Sequence, residues 1–145
     1  MAVSAKFYGL AFKSAFNKEI DFDSDSIKVM LCTSSYVPDQ DTHQYKSSVT
    51  NEVTGTGYTA GGEALASASL TYTAGTNVLK LDGADTVWAS STITARYAVI
   101  YDSTPATDAT RPLIAYVDFG ADVSSSSGDF TITWDAAGIA TVTVA

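Results

Sequence analysis

Thr92-Ile93-Thr94-Ala95-Arg96-Tyr97-Ala98-Val99-Ile100-Tyr101-Asp102 is the stretch whose reading decides the fold. Ile93, Ala95, Tyr97, Val99 and Tyr101 are apolar or aromatic. The alternating positions begin with Thr92, Thr94 and Arg96. A period of two puts alternate residues on opposite faces and marks a β-strand. From Ala98 to Tyr101 both faces turn apolar, as in a strand covered on both sides. This segment is therefore read as the central strand of a β-rich domain.

Outward from it, most of the second half of the chain repeats the pattern. Ala66, Ala68, Leu70 and Tyr72 alternate with Ser67, Ser69, Thr71 and Thr73. Ala74-Gly75-Thr76-Asn77 forms a turn. Short strands follow at Val78–Asp82 and Thr86–Ser90, with Trp88 as a core or interface anchor. After the central strand and a loop from Ser103 to Pro112 come Leu113–Phe119, a serine-rich turn over Val123–Gly128, Phe130–Asp135 and Ile139–Ala145. In the last of these, Val142 and Val144 oppose Thr141 and Thr143. This final strand is expected to be paired or covered, because its apolar residues run to the end of the sequence.

Before Glu63 the pattern changes. Tyr8, Phe12, Phe16 and Ile20 recur every four residues, which predicts an amphipathic helix over residues 4–20 with Ser4 as its cap. Such a helix either lies on the sheet or docks on a neighbouring subunit. Ile27–Thr33 reads as a strand, with Ile27, Val29 and Leu31 facing one way and Lys28, Met30 and Cys32 the other. Ser34–Gly62 reads as a long irregular loop, and loops of that length are functional or held by a partner. The expected architecture is mainly β: one domain over residues 1–145, an antiparallel β-sandwich or related barrel of about eight strands with one N-terminal helix.

The bulk numbers restrict function. The chain has 145 residues, 46% hydrophobic and only 17% charged, with Ser, Thr and Ala filling the gap; it is long enough for a real core. Sixteen carboxylates against eight Lys and Arg give a formal net charge of −8, and the bases are scattered from Lys6 to Arg111. Phosphate backbones and anionic membranes call for clustered bases, so neither is an expected partner. The single cysteine, Cys32, permits no intramolecular disulfide and no thiolate cluster. The opening Met1-Ala2-Val3-Ser4-Ala5-Lys6 lacks a signal peptide's apolar core, and synthesis in a cytosol is expected.

The common catalytic motifs are absent or incomplete. There is no Gly-x-Ser-x-Gly elbow. His43 is the only histidine, so a triad or a zinc site would have to be built around it. Asp21-Phe22-Asp23-Ser24-Asp25-Ser26 invites a calcium reading, yet the sixth and twelfth positions hold Ser26 and Cys32 instead of Gly and Glu. Gly55-Thr56-Gly57 lacks the Lys-Ser or Lys-Thr of a phosphate loop. No enzyme, no metal and no cofactor is expected. Eight Tyr and two Trp on a low-charge chain suit large contact surfaces. The candidate interface residues are Tyr8, Phe12, Phe16, Tyr36, His43, Tyr45 and Tyr58. Tyr36, Tyr45 and Tyr58 also form a candidate sugar-stacking platform.

Several blocks resemble a recurring pattern in tailed-phage structural proteins. They are Glu19-Ile20-Asp21-Phe22-Asp23-Ser24-Asp25-Ser26-Ile27-Lys28-Val29, then Thr33 to Asp41, then Asn51 to Gly62, Ala95 to Val99 and Trp134 to Ile139. The similarity runs colinearly from about residue 6 to 142. It implies a virion component, made in the host bacterial cytoplasm. As a head decoration or cement protein, it would form a homotrimer or other homo-oligomer on the major capsid protein lattice. A tail, collar or fibre component is the alternative, and a carbohydrate-binding module for host adsorption is the alternative from another class. Short length and the lack of a coiled-coil or fibre repeat favour the head.

Overall fold

The computed structural model describes residues 2–145. In chain order the elements are β1 (Ser4–Phe7), α1 (Gly9–Phe16), β2 (Ile27–Cys32), β3 (Glu63–Ala64), β4 (Ser69–Thr73), β5 (Val78–Asp82), β6 (Thr86–Ser91), β7 (Thr94–Asp102), β8 (Leu113–Ser124), β9 (Gly128–Ile132) and β10 (Ala140–Thr143). All strand pairs are antiparallel. The fold is mainly β with a single α-helix among the described residues, as the alternation predicts. Three sheets build it: β1-β8-β7-β2-β3, β10-β5-β4 and β6-β9.

β7 is the middle strand of the five-stranded sheet. It pairs with β2 from Ile27↔Asp102 to Cys32↔Tyr97, and with β8 on its other side. Ala98 to Asp102 are all buried. A core lies on each face. On one, Val29, Leu31, Ala98, Ile100 and Ala115 pack against Leu81, Trp88, Phe130, Ile132 and Ile139, which come from or adjoin the two smaller sheets. On the other, Met30, Cys32, Val99, Tyr101 and Tyr116 pack against Tyr8, Ala11 and Tyr36. β2 divides its side chains between these cores as its alternation predicts.

β7 itself departs from strict alternation. Ile93 and Ala95 join the core of Ala98 and Ile100, whereas Tyr97, Val99 and Tyr101 belong to the opposite one. The register shifts between Ala95 and Tyr97, where the β8 partners jump from Val123 to Asp118. Such a bulge moves every later side chain to the other face. Arg96 holds it through Nε to Asp118 Oδ1 at 2.6 Å, and Gly120 N–H donates to the same oxygen. β8 consequently extends to Ser124, past the expected end at Phe119, and the serine-rich turn shrinks.

The N-terminal reading needs correction. Residues 4–20 are not one helix: Ser4–Phe7 pair with β8 from Ser4↔Asp118 to Phe7↔Ala115. The open edge of β8 offers these residues backbone partners, and Ala5 and Phe7 alternate with Ser4 and Lys6. Ser4 is therefore no cap; Tyr8 occupies the cap position without a side-chain bond. The helix stops at Phe16 in a Schellman arrangement: Glu19 N–H reaches Ser14 O, Lys18 N–H reaches Ala15 O, and Lys18 takes φ 63.

The long loop is held by its own chain. Cys32↔Glu52, Tyr45↔Pro112 and Thr56↔Thr92 form isolated bridges, and Lys46–Ser48 make one 3-10 turn. Tyr58 OH accepts from Leu31 N–H and donates to Glu52 Oε1 at 2.8 Å. At Gly62, φ is +78 and a Cβ would stand 1.9 Å from Val29 O, so the backbone lies directly on β2.

Candidate interaction surface

The sequence predicts a helix whose aromatic stripe meets its neighbours. The helix instead packs through its small residues, Ala11 and Ser14, which are buried. Small side chains allow the helix backbone to approach the fold closely. Ser14 Oγ also accepts from Gln44 Nε2 at 3.2 Å. Phe12 and Phe16 are consequently displayed, at 40% and 88% exposure. Phe12 leans on Phe7, ring centroids 5.1 Å apart; Phe16 projects into solvent.

Opposite the helix stands β10-β5-β4. Its register pairs Leu70 with Leu81, Tyr72 with Leu79 and Val142 with Leu79, so these side chains share one face. Ser69, Thr71, Thr73, Lys80, Thr141 and Thr143 form the other. At its inner end the apolar face is sealed by Leu81, buried in the core. Its outer end overhangs: Leu70 and Tyr72 are exposed at 38% and 53%. Between this face and α1 runs a cleft of about 240 Å³ whose lining, including Phe7, Phe12, Phe16, Leu70, Leu79 and Val142, contains no charged or hydrogen-bonding side chain.

A second cleft of about 370 Å³ lies between β1, the end of β8 and β9. Its floor of Val117, Phe130, Ile132 and Ile139 is buried, and of its large apolar side chains only Val3 and Val123 stand well clear. The first cleft therefore carries the larger uncovered aromatic surface.

The remaining interface candidates turn inward. Tyr8 and Tyr36 are buried in the core of the monomer, their hydroxyls 2.9 Å apart. Tyr36 OH reaches His43 Nδ1 at 3.1 Å, and Asp39 N–H reaches the same nitrogen. Burial pushes the Tyr36 hydroxyl up to about 12 and that of Tyr8 far upward as well. Tyr58, half-buried, stacks on Trp88 at 6.3 Å. Tyr45 is half-buried too and donates to Glu19 Oε2. Tyr36 thus exposes no ring for a sugar, the Tyr58 ring is partly covered by Trp88, and Tyr8 and Tyr36 offer no surface to a partner. Each large ring contributes more by filling the sheet face under the loop. Of the seven candidates, Phe12 and Phe16 are the ones that the structure brings together on an open face. Leu70, Tyr72, Leu79 and Val142 were missed as surface residues. Their alternation was legible, but not that their apolar side overhangs the core.

Reactive groups are muted. Burial, followed by the nearby Glu52, pushes the Cys32 thiol up to about 12, so it remains a protonated core residue. Two carboxylates of the acidic turn are engaged by backbone donors: Asp25 Oδ2 accepts Asp21 N–H at 2.7 Å, and Asp23 Oδ1 accepts the distant Leu70 N–H. Trp88 is a core anchor, 1% exposed and edge-on to Phe130. Comparison of the chain with protein-family models, curated proteins and solved structures gave no match.

Proposed function

We propose that this chain is a structural component of a tailed-phage virion, a decoration or cement protein that stabilises the head by binding the major capsid protein lattice. Two things support the reading: the colinear resemblance of its sequence blocks, and a surface suited to contact. The observation that carries it is the uncovered, uncharged aromatic face formed by Phe12, Phe16, Leu70 and Tyr72. Exposed apolar patches on this scale mark interaction sites. In this reading the chain works by repeated surface matching. Many modest contacts, multiplied over a shell, raise the cost of opening it under internal pressure.

Quantitative mass spectrometry of purified particles tests the proposal. Hundreds of copies per particle are expected. A few to tens would move the protein to the tail or neck, and absence from particles would overturn the virion reading. Binding to a glycan array by the free protein would favour the adsorption module instead.

A further inference from the structure

The overhanging face ends at a free sheet edge. β4 pairs with β5 on one side only. Leu70 N–H points away from β5, because it donates to Asp23 Oδ1. In an antiparallel pair the direction of the backbone groups alternates. The N–H and C=O of Tyr72 therefore also point outward, as does the C=O of Leu70. The strand Ser69-Leu70-Thr71-Tyr72-Thr73 carries no charge and no proline, the devices that usually guard such an edge. Asp23 guards only its first N–H.

We propose that this edge and the adjoining cleft are the contact with a second copy of the chain, joined through β4 about a twofold axis at Tyr72. This deepens the virion reading and rests on it for its purpose, though not for its geometry. Tyr72 would face its counterpart as a hydrogen-bonded antiparallel pair, while Leu70 N–H stays on Asp23 Oδ1. The two three-stranded sheets then become one six-stranded sheet with its apolar faces on the same side. Both Phe16 rings lie on that side, and the paired Tyr72 rings stand within contact distance.

Charge and area select a second copy as occupant. Each chain carries −8, and a basic partner would be recruited by carboxylates. The cleft lining offers none. Two acidic copies, by contrast, approach at least cost through this surface, whose one carboxylate, Asp23, is held on Leu70 N–H. With side chains of about 200 Å² for the aromatics, the exposed parts of Phe12, Phe16, Tyr72, Leu70 and Val144 amount to roughly 500 Å². A standard interface of about 800 Å² per partner, two-thirds apolar in homodimers, needs about that much.

Sedimentation equilibrium and backbone-amide exchange on the full chain test this. A dimer is expected, with Tyr72 N–H protected as concentration rises. Tyr72→Pro removes an N–H that serves no bond within the monomer, and should weaken association at least tenfold. Phe16→Asp, at a solvent-exposed position, should do the same and serves as the check if the proline variant misfolds. A monomer at all concentrations would overturn the inference, as would an oligomer untouched by both variants. The two readings fail separately: abundant copies in particles from a chain monomeric in solution would sink the pairing alone. A β4-linked dimer absent from particles would sink the virion reading alone.

Discussion

The buried carboxyl of Asp102 lies beside the carboxylate of Asp25, which disfavours a second negative charge there. Asp102 ends the central strand, fully buried, with Oδ1 accepting Thr104 N–H at 2.8 Å. Its Oδ2 has no hydrogen-bond partner. Burial, then Asp25, raises its pKa from 3.8 to about 6. The folded state therefore binds a proton that the unfolded chain releases near pH 4. Stability from this group is present below about pH 4 and lost as pH rises through about 6. Asp102→Asn keeps the shape and supplies a donor. It should stabilise the protein by about 1–2 kcal/mol at pH 8 and change little at pH 4.5, measured by thermal denaturation at both.

The Tyr8–Tyr36–His43 chain gives a second prediction. Asp39 N–H occupies His43 Nδ1 as donor, so Tyr36 OH donates there too and accepts from Tyr8 OH. Tyr36→Phe strands a buried hydroxyl on Tyr8 and should cost about 1–3 kcal/mol in urea unfolding. Adding Tyr8→Phe removes the stranded group, and the double variant should be no less stable than Tyr36→Phe alone.

At the end of α1, Lys18 occupies the left-handed position that glycine favours, with φ 63. It adjoins the displayed face but lies outside the cleft lining. Lys18→Gly should relieve this strain and raise stability by about 0.5–1 kcal/mol, seen as a higher midpoint with an unchanged slope in denaturant.

Two glycines should respond in opposite ways. Gly62→Ala places a methyl group against Val29 O at positive φ, and should cost at least about 3 kcal/mol or prevent folding. Gly75→Ala meets no atom within 4 Å and should be neutral or slightly stabilising. Circular dichroism melts of the two variants side by side check the contrast.

Much of the fold was legible because strands with one or two buried faces must show their pattern locally. Ile27, Val29 and Leu31 separate from Met30 and Cys32 in the primary structure and in the two cores alike. Residues 4–7 read as helix because the four-residue spacing of Tyr8, Phe12, Phe16 and Ile20 follows directly, and two alternate apolar residues, Ala5 and Phe7, are too few to mark a strand. What settled them was the open edge of β8, which is distant in sequence. The bulge at Arg96 was hidden for a similar reason. Its partner Asp118 lies 22 residues away, and only their ion pair reveals where the phase of β7 changes.

Period and composition alone determined that this chain is antiparallel β, that Cys32 is core and that its surfaces are rich in hydroxyls. Tertiary structure decided which apolar residues stay outside. Tyr8, Tyr36, Phe12 and Phe16 are chemically alike, and hydrophobicity does not distinguish them. The first two are buried under the loop and helix. The last two are displayed because Ala11 and Ser14, being smaller, take the close-packed side of α1. Burial is a property of available space, and that space exists only once distant segments have met.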